Sequence, residues 1–406
     1  MPASLNPFRT LVQHRNFRLF WMGQTLSLIG TWMQTMAQGW LALELTNNAF
    51  YVGLVATVTS LPILVFSLHA GVLVDRQEKL RLVKAGQVLF CVQAAVLWWV
   101  TWTGRVTIGW LLALALANGL INAFEIPARQ SLVIELVGRE DLPGAIALNS
   151  SGFNLARVVG PSIGALIIAQ LGIAWCFGVN AISYVAVLIG LFMIRLPEWT
   201  PPTQVVSPSE GILEGIRYMR STPSISGLMS LVTVYSVLGV PYLTLMPVVA
   251  KQQLHLGAAG YGALLSCVGI GGLAGALGLA AVGNRVRRGV VLSVSSLAYG
   301  VLLIAFSLVR TPGLAYPLLL LIGFTMIVNS AIANATLQHL VPNELRGRMM
   351  AAYSFVVVGL SQVLGSFVGG AVAGVTGAPW AIGGAAVIML VFAYAALVRR
   401  PELRTL

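Results

Sequence analysis

The chain has 406 residues, of which 57% are hydrophobic and only 9% charged, where a soluble globular chain carries about 25% charged residues. At a mean hydropathy of +0.87, a water-soluble enzyme of this length is excluded and most of the surface must face lipid. The net charge of +12 would point to nucleic acid in a soluble protein, but its placement along the chain gives it another origin.

Taken in order, apolar stretches fall at 19–43, 51–74, 85–103, 108–128, 145–170, 173–194, 224–250, 258–282, 289–309, 314–338, 350–373 and 379–398. Each is near the roughly 20 residues that cross a bilayer as a helix, so the spacing predicts an all-α membrane protein of twelve spans. Arg9, Arg15 and Arg18 precede the first stretch as in a signal peptide. Its length and the lack of a small-residue cleavage site mark a retained first helix instead. Cys91, Cys176 and Cys267 lie far apart inside apolar runs, which is neither a disulfide framework nor a metal spacing.

With a cytoplasmic N-terminus, twenty of the 24 Lys and Arg residues fall on inside segments, against Arg105, Lys251 and Arg310 outside and Arg157 within a span. That is a positive-inside distribution. It places both termini in the cytoplasm and makes the basic charge a consequence of topology, with no nucleic-acid partner. The longest polar interval, 195–222, holds Pro197, Pro201, Pro202 and Pro208. It separates an N-terminal six-helix bundle (1–194) from a C-terminal one (223–406). Its second part, SEGILEGIRYMRS, reads as a short amphipathic helix with Ser209 as N-cap.

The halves repeat each other weakly. IELVGREDLPGA and QHLVPNELRGRM align Val137 with Val341 and Glu140 with Glu344. At an offset one residue larger, Gly160 and Gly164 fall on Gly365 and Gly369, and Trp175 on Trp380. Six plus six spans in parallel repeat is an established transporter plan.

The loop after the second stretch reads Gly71-Val-Leu-Val-Asp75-Arg76-Gln-Glu-Lys79-Leu-Arg81. It resembles the signature loop of the major facilitator superfamily, departing from it at Glu78 and Leu80. Gly283-Asn284-Arg285-Val-Arg287-Arg288 is a degenerate second copy, and Gly160-Pro161 with Gly164 is similar to part of the motif of antiporter members. Phe124-Glu-Ile-Pro-Ala-Arg-Gln-Ser131, Leu136-Val-Gly-Arg-Glu-Asp-Leu142, Asn149, EGIRYMRSTP and LRGR at 345–348 resemble the subfamily that includes the bacterial enterobactin exporter and macrolide-efflux-like proteins. The resemblance covers essentially the whole chain. It implies the major facilitator fold, two pseudo-symmetric six-helix bundles, and a small-molecule exporter.

Polar groups within spans are expensive and face a bundle interior or a water-filled cavity. In span 1, Gln24, Thr31 and Gln38 recur every seventh residue, with Gln34 close in angle. Span 4 carries Asn118, Asn122, Glu125 and Arg129 on one face, span 7 Tyr235 and Tyr242 around a kinking Pro241, and span 10 Asn329, Ser330, Asn334 and Gln338. In the superfamily that the sequence resembles, spans 1, 4, 7 and 10 line the central cavity. The alternative is that these groups join helices by hydrogen bonds. Arg157, charged inside span 5, is either a ligand for an anionic or oxygen-rich substrate, half of a pair with Glu125, or a side chain that snorkels to the inner interface. Glu125 itself is either a proton carrier or, with Arg76 or Lys79, an ion pair that gates the cytoplasmic end. Asp75 is expected to cap a neighbouring helix, with span 11 as the partner the resemblance implies.

Gly160/Gly164, Gly271/Gly275 and Gly365/Gly369 each have the GxxxG spacing that lets helices approach closely. The resemblance implies that their helices meet across the two halves. His69 is either a titrating group or a hydrogen-bonded interface residue, and Trp98, Trp99, Trp102 and Trp110 read as interfacial anchors. Neither a GxxxxGK[ST] loop nor an HExxH is present, so no ATPase or zinc-protease chemistry is expected.

The sequence therefore predicts a secondary transporter of the inner membrane, without cofactor or metal. It would act as a monomer in the lipid bilayer and export a small amphipathic organic molecule, siderophore-like or drug-like, against protons. The competing expectations are a lipid or lysolipid transporter, and a non-transporting sensor or scaffold on the same fold.

Overall fold

An apolar run in hydrocarbon must satisfy each backbone N–H and C=O within itself, and the helix is the local solution. The computed structural model describes residues 7–196, 217–219, 221–283, 287–399 and 402. It describes no side chain for residues 7, 8, 67–69, 72, 75, 343, 344 and 358. Among the described residues there is no strand. The helices are α1 (Pro7–Gln13), α2 (Arg15–Thr46), α3 (Ala49–Asp75), α4 (Lys79–Trp102), α5 (Ile108–Val137), α6 (Leu142–Leu171) and α7 (Ala174–Phe192). They continue as α8 (Pro223–Gln253), α9 (Ala258–Val282), α10 (Arg288–Leu308), α11 (Pro312–Leu340), α12 (Leu345–Thr376) and α13 (Ala378–Arg399).

From α3 onward these include 11 helices long and apolar enough to cross a membrane. The 32-residue α2 is the twelfth span, its hydropathy lowered by Gln24, Gln34 and Gln38. The amphipathic helix expected at 209–220 falls largely outside the described residues, as does the second signature-like loop at 284–286.

The helix ends follow local chemistry. Asn48 Oδ1 accepts from the Phe50 N–H at 2.9 Å ahead of α3. The Thr107 hydroxyl accepts from Trp110 N at 3.3 Å at the start of α5. Gly138 (φ 73°) and Gly172 (φ 90°) end α5 and α6 in a conformation that a Cβ would disfavour. One boundary differs from expectation: α5 runs to Val137 rather than stopping near 128, so the two turns after Arg129 are helical as well. Helical hydrogen bonding continues through the polar end because nothing in PARQSLVIELV breaks it after Pro127.

Contacts divide the chain into two units. One holds the residues up to Leu41 together with Leu61 to the end of α7; the other holds Ala42–Ser60 together with α8–α13. Thus the first half of α3 is counted with the second unit, and Pro62 stands just past the division. There α3 packs on α12: Phe50 meets the Phe367 ring edge-on at 6.0 Å. The Thr57 hydroxyl donates to the Val363 carbonyl at 3.3 Å, and Gly53 lies against the Gly370 backbone.

The units are built alike. In the first, α4 packs on α5 and α7; in the second, α10 packs on α11 and α13. Each unit gathers its main apolar core at equivalent helix ends. In the first unit Phe17, Val83, Leu132, Leu148 and Leu191 cluster, and in the second Ile225, Leu292, Leu337, Met349 and Leu397.

The glycine pairs do pack helices, with partners inside one unit. Gly160 and Gly164 receive Trp32, Met33 and Met36 of α2, and Gly271 and Gly275 lie on Leu320 and Phe324 of α11. Gly365 and Gly369 hold Pro241 of α8, and Pro161, next to Gly160 in the sequence, is itself buried in α6. The nearest neighbours of all six glycines lie in the same unit as the glycine. Small residues appear wherever backbones come closest, and here that is within each bundle.

Candidate transport site

In the first unit the α2 stripe divides into two groups. Gly30 leaves space beside α7 for Asn180, whose side-chain N–H donates to Gln34 Oε1 at 2.8 Å. Gln34 in turn donates to Gln93 Oε1 at 3.1 Å, and Gln93 to the Leu114 carbonyl at 3.2 Å. A single donor direction therefore runs α7 → α2 → α4 → α5, which fixes the orientation of all three amides. Gln34 is buried and belongs to this interhelical scaffold, the alternative weighed for it against cavity lining. Thr31 is similar: its hydroxyl donates to the Ser27 carbonyl at 2.9 Å and lies 3.1 Å from the Tyr184 hydroxyl of α7. By contrast, the buried Gln24 Oε1 and Gln38 Nε2 have no hydrogen-bond partner among the described residues.

Glu125 is 3% exposed and is held by two donors, Gln87 Nε2 at 3.0 Å and Arg129 Nε at 3.1 Å. It fits because Gly86 of α4 leaves the space its side chain fills; a Cβ there would stand 2.9 Å from Glu125 Cγ. A buried carboxylate is tolerable only with such pairing. The pair is thus formed within α5, and not with Arg76, which is exposed, or Lys79, which is buried near Glu135. Asn122 donates to Asn118 Oδ1 at 2.8 Å one turn away, so these two half-buried amides form one polar step on α5. Arg157 is half-buried on α6. Asp75 ends α3; its side chain, like that of His69, lies outside the described residues.

In the second unit α8 is interrupted where Pro241 removes a donor. Residues Tyr235–Gly239 form a wide π-type turn and Val240–Tyr242 a tight 3₁₀ turn. Side chains of neighbouring helices take up the released carbonyls. The Tyr299 hydroxyl donates to Gly239 O at 3.0 Å, and the Ser361 hydroxyl to Ser236 O at 2.7 Å. Tyr299 also organises the predicted tyrosines: Tyr235 stacks on it with centroids 4.5 Å apart, and Tyr242 meets it edge-on at 6.4 Å. Asn329 is buried and donates to Ser296 Oγ at 2.6 Å and Ser295 Oγ at 3.2 Å. Asn334 accepts from Gln338 at 2.6 Å.

Sequence reasoning missed Gln87, Gln93, Asn180, Tyr184, Tyr299 and Ser361. All are polar groups inside apolar runs, and the same intramembrane test that found the α2 stripe could have found them. Attention to spans 1, 4, 7 and 10 alone passed over spans 3, 6, 9 and 11.

Two similar helical units with polar and aromatic side chains strung through their interiors have the plan expected of the major facilitator superfamily. The chain belongs to the transmembrane secretion effector family of that superfamily, which it matches over residues 3–405. It is 26% identical over 376 residues to the enterobactin exporter EntS of Shigella flexneri, covering 91% of this chain and 86% of that protein. To the enterobactin exporter EntS of Escherichia coli O1:K1 it is 26% identical over 379 residues, with the same shares covered. Among solved structures, a bacterial homologue of the human lysosomal transporter Spinster superposes with a TM-score of 0.74 at 13% identity, covering 96% of this chain and 98% of that one. The peptide transporter POT gives 0.75 at 12% identity, with 99% of both chains covered. These two establish the fold alone.

Proposed function

We propose that the protein is a secondary active exporter of the cell inner membrane, with both termini cytoplasmic, working as a monomer. It moves a small amphipathic organic molecule outward by alternating access in exchange for protons. The observation that carries this reading is Glu125, a carboxylate buried mid-helix beside one cation and one amide. An acid that trades its proton for an ion pair with Arg129 holds two states whose balance a proton gradient can bias. Gln24, Gln38, Asn118, Asn122, Arg157, Tyr242 and Asn334 are the groups assigned to the substrate. Gln34, Thr31, Tyr235 and Asn329 hold the helices that present them. Amides and phenols with few charges suit a drug-like or siderophore-like molecule better than a free sugar, and the enterobactin exporters among the relatives point the same way.

The test is an untargeted mass-spectrometric comparison of medium and cell extract from cells expressing wild type, Arg157→Ala or Glu125→Gln at equal levels. A compound enriched outside and depleted inside only with wild type is the expected result. Unimpaired export by both variants would sink the site assignment. No difference between wild type and empty vector would remove export of an endogenous metabolite.

A further inference from the structure

The exposed sides of α4 and α7 end in a place that the transport site does not use. On α4, Arg81, Ala85, Val88 and Val92 are exposed at i, i+4, i+7 and i+11, so a basic residue heads an apolar stripe. On α7, which packs against α4, Ile182, Val185, Ile189 and Phe192 form a second exposed stripe that runs to the last turn of the helix. The two helices meet at one end of these stripes. There Lys84 Nζ of α4 stands over the Phe192 ring, 4.9 Å from its centroid, although that ring is 67% exposed. Arg195, just past α7, is exposed at the same end, and its carbonyl accepts from the Asn16 side chain of α2 at 2.8 Å.

These cations have no counter-charge of their own. Among the described residues the ion pairs join His14 to Asp141 and Arg129 to Glu125, and neither Arg81 nor Lys84 takes part. The Phe192 ring covers one side of the Lys84 ammonium and leaves its other N–H groups to an acceptor from outside. A half-buried ammonium is stabilised by whatever anion can reach it. The surface beside it is apolar and faces lipid, so that anion must carry hydrocarbon of its own. The second unit repeats the plan. Arg287 precedes the exposed Val290 and Val294 of α10, and on α13 the exposed Val391, Tyr394 and Val398 lead to Arg399. Leu292 and Leu397 share a core cluster, so these two basic ends also lie together.

We propose that the basic end of the α4–α7 face is a binding site for one anionic phospholipid. Arg81 and Lys84 take the headgroup phosphate, Phe192 holds the Lys84 ammonium in place, and an acyl chain lies along the stripe from Phe192 to Ile182. Charge complementarity selects this occupant, as basic surfaces between membrane helices select anionic headgroups in general. A zwitterionic lipid brings its own cation to Arg81 and is disfavoured. The site rests on the membrane setting alone and is independent of Glu125 and of proton coupling. A lipid held there bridges α4 and α7 beside the core that Val83 and Leu191 share, so its binding stabilises the unit.

The test is photolabelling of full-length protein in phosphatidylcholine nanodiscs at low probe loading. The probes are phosphatidylglycerol and phosphatidylcholine, each with a diazirine in one acyl chain, and cross-linked peptides are mapped by mass spectrometry. In wild type the phosphatidylglycerol probe should label the 182–192 stripe about twenty-five times more than the other, two cations at roughly fivefold each. Arg81→Gln with Lys84→Gln should bring the two probes level and leave labelling of α13 unchanged. Arg81→Lys with Lys84→Arg keeps both charges and should keep the preference. Equal labelling by the two probes in wild type means ordinary boundary lipid and overturns the proposal. So does a preference that survives the Gln substitutions. A preference abolished by millimolar inorganic phosphate assigns the cations to a free anion and overturns the lipid. If the double variant does not fold, Arg81→Gln alone decides the matter by a drop of about fivefold.

Discussion

At the scale of single residues, glutamines about three turns apart on α2 have different work. Gln34 accepts from Asn180 and donates to Gln93, so Gln34→Leu strands a buried donor and a buried acceptor. Each stranded group costs about 1–3 kcal/mol, and thermal unfolding in detergent should show a clear fall in midpoint. Gln24 has a buried Oε1 with no hydrogen-bond partner among the described residues, so Gln24→Leu should leave the midpoint unchanged or raise it while reducing export. The reverse order of stabilities would show that the scaffold and ligand assignments are exchanged. Glu125 differs again, because its two donors make it both a stabilising group and the acid proposed for coupling.

Helices approach one another here in proportion to what the side chains at the crossing allow. On α9, a Cβ at Gly271 would run into the Leu320 backbone of α11, whereas one at Gly278 meets only the Phe324 ring edge at 3.8 Å. Gly271→Ala should therefore abolish folding or lower the melting midpoint sharply. Gly278→Ala should be neutral or stabilising, since alanine is the better helix former by about 1 kcal/mol. Equal effects of the two in a thermal-shift measurement would remove the crossing from the account. The interrupted α8 shows the same dependence on neighbours. Its π and 3₁₀ turns persist because Tyr299 and Ser361 satisfy the Gly239 and Ser236 carbonyls that the interruption around Pro241 releases.

For the whole molecule, the twenty basic residues on segments expected to face the cytoplasm set a prediction about sidedness. In intact cells, a membrane-impermeant maleimide should label Arg105→Cys and leave Gln77→Cys unlabelled until the membrane is opened. Both positions are exposed, and the native Cys91, Cys176 and Cys267 all lie inside helices. Labelling of Gln77→Cys from outside would invert the orientation and, with it, the proposed direction of export.

The helices and their twofold plan were legible in the amino-acid sequence because bilayer thickness sets span length and charge asymmetry sets topology, and both act on runs of residues. The signature loop ending at Arg81 and the Phe124–Ser131 segment carried the family as well. The intramembrane polar residues were legible as a set but not as roles. Periodicity placed Gln24, Gln34 and Gln38 on one stripe, since a stripe reports angle about the helix axis and nothing about what stands opposite. Only the packed helices decided that Gln34 meets Asn180 and Gln93, that Glu125 chooses Arg129 and Gln87 over Lys79, and that the GxxxG pairs close within a unit. Those outcomes depend on distances between segments up to 146 residues apart in the chain, set by how glycine-lined helices settle against each other.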